Sequence, residues 1–236
     1  LTFDGCNILN CEGNQLNSRS GVSISNTDNA RIHHNTIDCQ YVDQSFGIVT
    51  SGGSETLVID SNMVVNHITG GIHVHSSATD VVSLHANVIS GSGIQVKLSG
   101  NRVIADANRI VNCTDATGLL ITGEEMFAFN NYIQIDGQSM CKGISIANVG
   151  ANLYYNSVLL NGSNGGNRAL QVELSAGVNA AYSIKNNIFS VVPPDGSIGN
   201  YASFELNTIP GSNFNCDYNC FYSSNSVVGR IANAPY

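Results

Sequence analysis

The chain has 236 residues, 42% of them hydrophobic and only 11% charged, and its net charge is −8. Nine Lys and Arg scattered between Arg19 and Arg230 form no basic stripe able to neutralise phosphates, which excludes nucleic acid as the expected partner. No apolar run approaches the roughly 18 residues that a membrane span requires, and the length and apolar content predict a single continuous core over residues 1–236.

In chain order, one short phrase keeps returning. Asn7, Asn35, Asn62, Asn87, Asn108, Asn131, Asn156, Asn187 and Asn219 are each followed two residues later by an apolar residue. The spacings of 28, 27, 25, 21, 23, 25, 31 and 32 residues fit a stacked coil rather than a closed globular domain. Five and three residues before the Asn stand apolar or small side chains, as in Leu57 and Ile59, Val82 and Leu84, Met126 and Ala128, and Tyr182 and Ile184. This period-2 alternation predicts a strand with one buried face. A second strand is predicted at Gly21-Val-Ser-Ile, Gly47-Ile-Val, Gly71-Ile-His-Val, Gly93-Ile-Gln-Val, Gly118-Leu-Leu-Ile, Gly143-Ile-Ser-Ile and Ala169-Leu-Gln-Val. Each repeat is thus expected to hold two strands and no helix, and parallel strands without crossover helices recur by coiling. The turns lengthen after Val191, and the pattern resumes at Cys216-Asp-Tyr-Asn-Cys-Phe-Tyr.

These repeats resemble the right-handed parallel β-helix of the pectate-lyase-like superfamily along nearly the whole chain. The resemblance implies an all-β, single-stranded solenoid of about nine rungs, in which the recurring Asn takes a left-handed turn position and its amide stacks on the Asn of the next rung. Asn suits both tasks, because it tolerates positive φ and its side chain both donates and accepts. The closing phrases look like those of β-helix repeat proteins from large secreted bacterial polypeptides. No amphipathic capping helix is found at either terminus, and uncapped coils expose strand edges. The expectation is therefore a segment of a longer secreted or cell-surface protein, with the rest of the parent polypeptide as a partner.

A solenoid allows chemistry to be sought by column. Two residues before each Asn, an outward column reads His33, Asp60, His85, Asp106, Phe129, Tyr154, Lys185 and Asp217. Alternating His and Asp are material for acid–base catalysis or a metal site, or simply for cross-rung pairing that avoids stacked like charges. His33, Asp60, His85 and Asp106 are the catalytic candidates. Phe127, Phe129 and Tyr154 are the carbohydrate-binding candidates, since outward aromatics in register stack on sugar rings or lie beneath a covering element. His73 and His75 form a His-x-His on the second strand, with Gln95 and Lys97 in register on the next rung; they are metal candidates that lack a third ligand.

The lyases of the superfamily pair a Lys or Arg base with calcium-bound acids, and its galacturonase-type hydrolases carry clustered Asp with Gly-His-Gly and Arg-Ile-Lys. None of these motifs occurs here. Lys97, Arg102 and Arg109 could supply a base. Cys11 and Cys39 share an offset and should stack, as a disulfide or as buried thiols, whereas Cys216 and Cys220 do not match in direction. Asn112-Cys-Thr and Asn161-Gly-Ser fit the glycosylation acceptor pattern. The expected role is structural, adhesive or glycan-contacting, with polysaccharide degradation by a lyase or glycoside hydrolase as the alternative. No cofactor is predicted, although calcium is compatible with the superfamily.

Overall fold

The apolar alternation produces three strands per turn of the coil, not the two expected. The structure, a computed structural model, describes the chain except residues 6, 10–18, 27–28, 40–44, 53–54, 67–68, 77–80, 99–101, 114–116, 123, 138–139, 148–149, 163–165, 174–180, 195–198, 208–212, 225–226, 232–233 and 236. One rung illustrates the plan: Arg102–Asp106 belongs to sheet A, Arg109–Cys113 to sheet B and Thr117–Thr122 to sheet C. Among the described residues sheet A has nine strands, from Thr2–Asp4 to Phe214–Asp217, and sheet B has nine, from Asn7–Leu9 to Cys220–Ser223. Sheet C has ten, from Arg19–Ser25 through Val227–Ile231 to Ala234–Pro235, the last pairing antiparallel. The other pairings run parallel, rung on rung, as in the stack of Thr56–Asp60, Val81–His85 and Arg102–Asp106. No helix occurs among the described residues.

The extra strand arises from a sharp corner just before each Asn. His34, Ser61, Ala86, Ala107, Asn130, Tyr155, Asn186 and Tyr218 all have φ between 52° and 58°. The left-handed position is therefore the residue before the recurring Asn, not the Asn itself. This corner ends the sheet A strand and starts a new direction, so the segment after the Asn runs as sheet B. The first rung corrects the sequence reading in a second way. Asn7 pairs with Thr36, one residue past the ladder, and the corner there is Gly5 at φ 62°.

From Asn35 to Asn219 the amides stack as expected, and the bonding is closed. Asn108 Nδ2 donates to Asn131 Oδ1 at 3.0 Å and to the Leu84 carbonyl at 2.8 Å, while Asn108 Oδ1 accepts from Asn87 Nδ2 at 3.0 Å and from the Asn87 backbone N–H at 3.1 Å. The same pattern repeats at Asn62, Asn87, Asn131, Asn156 and Asn187. Each amide thus meets its full donor and acceptor capacity inside the protein, which buried polar groups require.

Inside the coil the three sheets contribute stacked columns of one residue per rung. Ile32, Ile59, Leu84, Ala105, Ala128, Leu153 and Ile184 come from sheet A; Ile37, Val64, Ile89, Ile110, Ile133, Val158 and Phe189 from sheet B; Ile48, Ile72, Ile94, Leu119, Ile144 and Leu170 from sheet C. All are buried, and each large member contributes on the order of 1.5–3 kcal/mol. Crowding explains the glycine that opens the sheet C phrase at Gly47, Gly93, Gly118 and Gly143. A Cβ on Gly118 would sit 2.4 Å from Ile133 Cγ2 and 2.7 Å from the Gly143 carbonyl oxygen, and one on Gly143 would sit 2.2 Å from Val158 Cγ1.

Candidate functional site

Sheet A carries the predicted outward column in the register read from the sequence. His33, Asp60, His85, Asp106, Phe129, Tyr154, Lys185 and Asp217 are successive cross-rung partners. The four titratable candidates divide into two groups. In one, His85 Nδ1 and Asp106 Oδ2 are 3.0 Å apart, and Asp106 Oδ1 also accepts from Asn130 Nδ2 at 3.2 Å. This imidazole, 52% exposed, is oriented by a carboxylate that is 22% exposed. In the other, Asp60 is buried and holds Arg31 through Oδ2 at 3.1 Å, while His33 Nδ1 lies 2.9 Å from His34 Nδ1. Among the described residues, His33, His34 and Asp60 are the group whose ligand atoms all lie within 4.8 Å of one another. His34 was not among the sequence candidates, because its corner position was read as belonging to the Asn.

Phe127, Phe129 and Tyr154 point outward but are half-buried rather than open. The Arg102 guanidinium covers Phe127, 5.5 Å from the ring centroid, and Arg102 Nε is itself bonded to Glu125 at 2.9 Å. Tyr154 donates its hydroxyl to Asn152 Oδ1 at 3.3 Å. The more accessible aromatics lie one corner further on. Tyr132 begins a sheet B strand, Tyr155 and Tyr218 occupy left-handed corners, and Tyr155 is 62% exposed and Tyr218 78% exposed. At Tyr132 the outer face of sheet B forms a shallow cleft of about 230 Å³, lined also by Ser157, Val158, Leu159, Ile188 and Ser190. The Asn−1 and Asn+1 columns, read rung by rung as the Asn−2 column was, would have revealed Tyr155, Tyr218, Tyr132 and Ile188.

Other sequence candidates fall on separate faces. His73 and His75 point outward from sheet C with ring centroids 6.3 Å apart, and His73 meets Phe46 edge-on at 5.2 Å. Gln95 and Lys97 are their register partners, as expected. Lys97, Arg102 and Arg109 belong to strands of sheets C, A and B respectively. Cys39 is buried, with Sγ 3.5 Å from the Phe46 carbonyl; Cys11 lies outside the described residues. Cys216 and Cys220 are not joined. Burial pushes the Cys113 thiol up to about 12, which makes it a packing group rather than a nucleophile. Asn112 is exposed and Asn161 half-buried, their amides donating to Ser90 Oγ and Asp136 Oδ1.

Residues 1–89 match the family described as right handed beta helix region. Comparison with curated proteins and with solved structures finds no match.

Proposed function

We propose, for a chain whose described residues form a parallel β-helix and whose residues 1–89 match the right handed beta helix family, that it acts outside the cell as a glycan-contacting surface or secreted protein. The observation that carries this reading is Tyr155. A bulky residue in the left-handed region is an outlier, and the conformation costs roughly 1–2 kcal/mol for any residue with a Cβ. Ser61, Ala86, Ala107, Asn130 and Asn186 fill the same corner on other rungs with smaller side chains, while His34 and Tyr218 are its other bulky occupants. A strained, solvent-facing tyrosine sits at the corner that leads into the Ser157–Leu160 strand, whose Ser157, Val158 and Leu159 line the cleft. Aromatic faces with an apolar body and a polar tip are suited to pyranose rings, and strain of this kind is retained where function uses it. Phe129 and Tyr132 on one rung and Tyr154 and Tyr155 on the next would line two neighbouring subsites. A neutral glycan fits better than a polyanion, since the chain is acidic overall.

The test is retention on immobilised neutral polysaccharides, with Tyr155→Ala and Tyr154→Ala as variants. Weakened retention with unchanged circular dichroism supports the reading; unchanged retention in both variants removes it. The His85–Asp106 hydrogen bond favours a second reading, glycan cleavage with His85 as the proton-transfer group and Asp106 as its orienting partner. Product release abolished by His85→Ala would establish that reading in place of simple binding.

A further inference from the structure

We propose that His33, His34 and Asp60 bind one transition-metal dication of tetragonal preference, Cu²⁺ rather than Zn²⁺. Consecutive residues of a strand normally direct their side chains to opposite faces. Here the left-handed backbone of His34, φ 54°, turns its ring to the same outer corner as that of His33, and the two Nδ1 atoms come within 2.9 Å. Asp60 arrives from the next rung as the register partner of His33. One ligand atom from each of the three residues lies within 4.8 Å of the other two. Asp60 is only 7% exposed and is already held by Arg31, so its carboxylate stands in place before any ion arrives.

The nitrogen separation selects among metals. With metal–nitrogen bonds of about 2.0–2.1 Å, two nitrogens 2.9 Å apart subtend about 90° at the ion. That is the cis angle of a square-planar or octahedral centre, whereas tetrahedral zinc would need the nitrogens about 3.3 Å apart. Square-planar nitrogen and oxygen sets suit Cu²⁺ and Ni²⁺, and Cu²⁺ heads the affinity order of the divalent series. Both imidazoles bind in the neutral form through Nδ1, the Asp60 carboxylate is the third ligand, and water completes the shell. Arg31 competes for the same carboxylate, but its side chain is 53% exposed and can release into solvent.

The experiment is titration of the purified chain with copper(II) chloride near neutral pH, followed by calorimetry and by electron paramagnetic resonance, whose nitrogen splitting counts ring ligands. One equivalent should bind with a two-nitrogen signature. His33→Ala and His34→Ala should each weaken binding about tenfold or more, Asp60→Asn should weaken it while keeping both nitrogens, and the His73→Ala/His75→Ala double variant should leave it unchanged. His34→Ala reproduces the corner residue found at Ala86 and Ala107, so far-UV circular dichroism should stay that of the parent chain. Binding that survives His34→Ala, that is lost only with His73 and His75, or that is tighter for Zn²⁺ than for Cu²⁺ overturns the assignment.

Discussion

Replacing Asn108 by Ala isolates what one amide of the ladder contributes. The side chain makes four hydrogen bonds, and the residue is 1% exposed. Their loss is unequal. The buried Asn87 backbone N–H loses the acceptor it has at 3.1 Å, which costs about 1–3 kcal/mol for an orphaned group. Asn87 Nδ2 keeps the Ile59 carbonyl and Asn131 Oδ1 keeps the Asn108 backbone N–H, so the remaining bonds cost about 0.5–1.5 kcal/mol each, toward the lower end. The sum is about 3–5 kcal/mol, which is large for one substitution. Urea unfolding followed by far-UV circular dichroism measures it, with Asn161→Ala as the control, since Asn161 makes one exposed bond to Asp136 and should cost about 0.5 kcal/mol or less. Asn108→Ala combined with Asn131→Ala should cost less than the sum of the two, because they share a bond. A loss below about 1 kcal/mol for Asn108→Ala would refute the claim that the ladder stabilises the coil through closed amide bonding.

Three further outcomes follow from the same geometry. Gly118→Ala should destabilise the coil by about 1–3 kcal/mol, because the new Cβ collides with Ile133 and the Gly143 carbonyl; a midpoint unchanged from the parent in urea contradicts this. Tyr155→Gly should raise stability by about 1 kcal/mol by removing left-handed strain while lowering glycan retention, and a loss of stability contradicts the strain argument. Burial raises Cys113 from 9.0 to about 12 and Tyr182 from 10.0 to about 12. The folded chain keeps protons that the unfolded chain releases, so stability is full below about pH 9 and falls as the pH rises toward 12. Cys113→Ala should make that decline shallower, and an unaltered slope in alkaline unfolding curves would count against it.

The coil was legible because its period is written in residues that tolerate little substitution. From Asn35 to Asn187 the same buried amide recurs, with half-buried Asn219 continuing it, and apolar residues at fixed offsets set the register, so the partners of His33 through Asp217 can be aligned from the sequence. The first rung misled because Asn7 follows the ladder position by one residue, and a strict spacing rule cannot detect a one-residue slip. The third strand per turn was missed because the left-handed corner carries no fixed residue type: His34, Ala86, Asn130 and Tyr155 share a backbone conformation and no chemistry. For the same reason the candidate sites were only half visible. His33 and Asp60 were found by column, but their closest ring neighbour, His34, sits on the corner. Outward direction was readable for Phe127 by alternation, whereas its cover by Arg102 depends on side-chain reach across rungs. The cleft beside Ile188 is a property of three neighbouring rungs together.

The most direct test of the glycan-contacting role is affinity retention on a panel of immobilised neutral and acidic polysaccharides, with and without calcium, comparing the parent chain with a Tyr154→Ala/Tyr155→Ala double variant and assaying every eluate for new reducing or unsaturated ends. Retention on at least one neutral polymer, lost in the double variant and without product, is the predicted result. Absence of retention on every neutral polymer, or equal retention by the double variant, contradicts it.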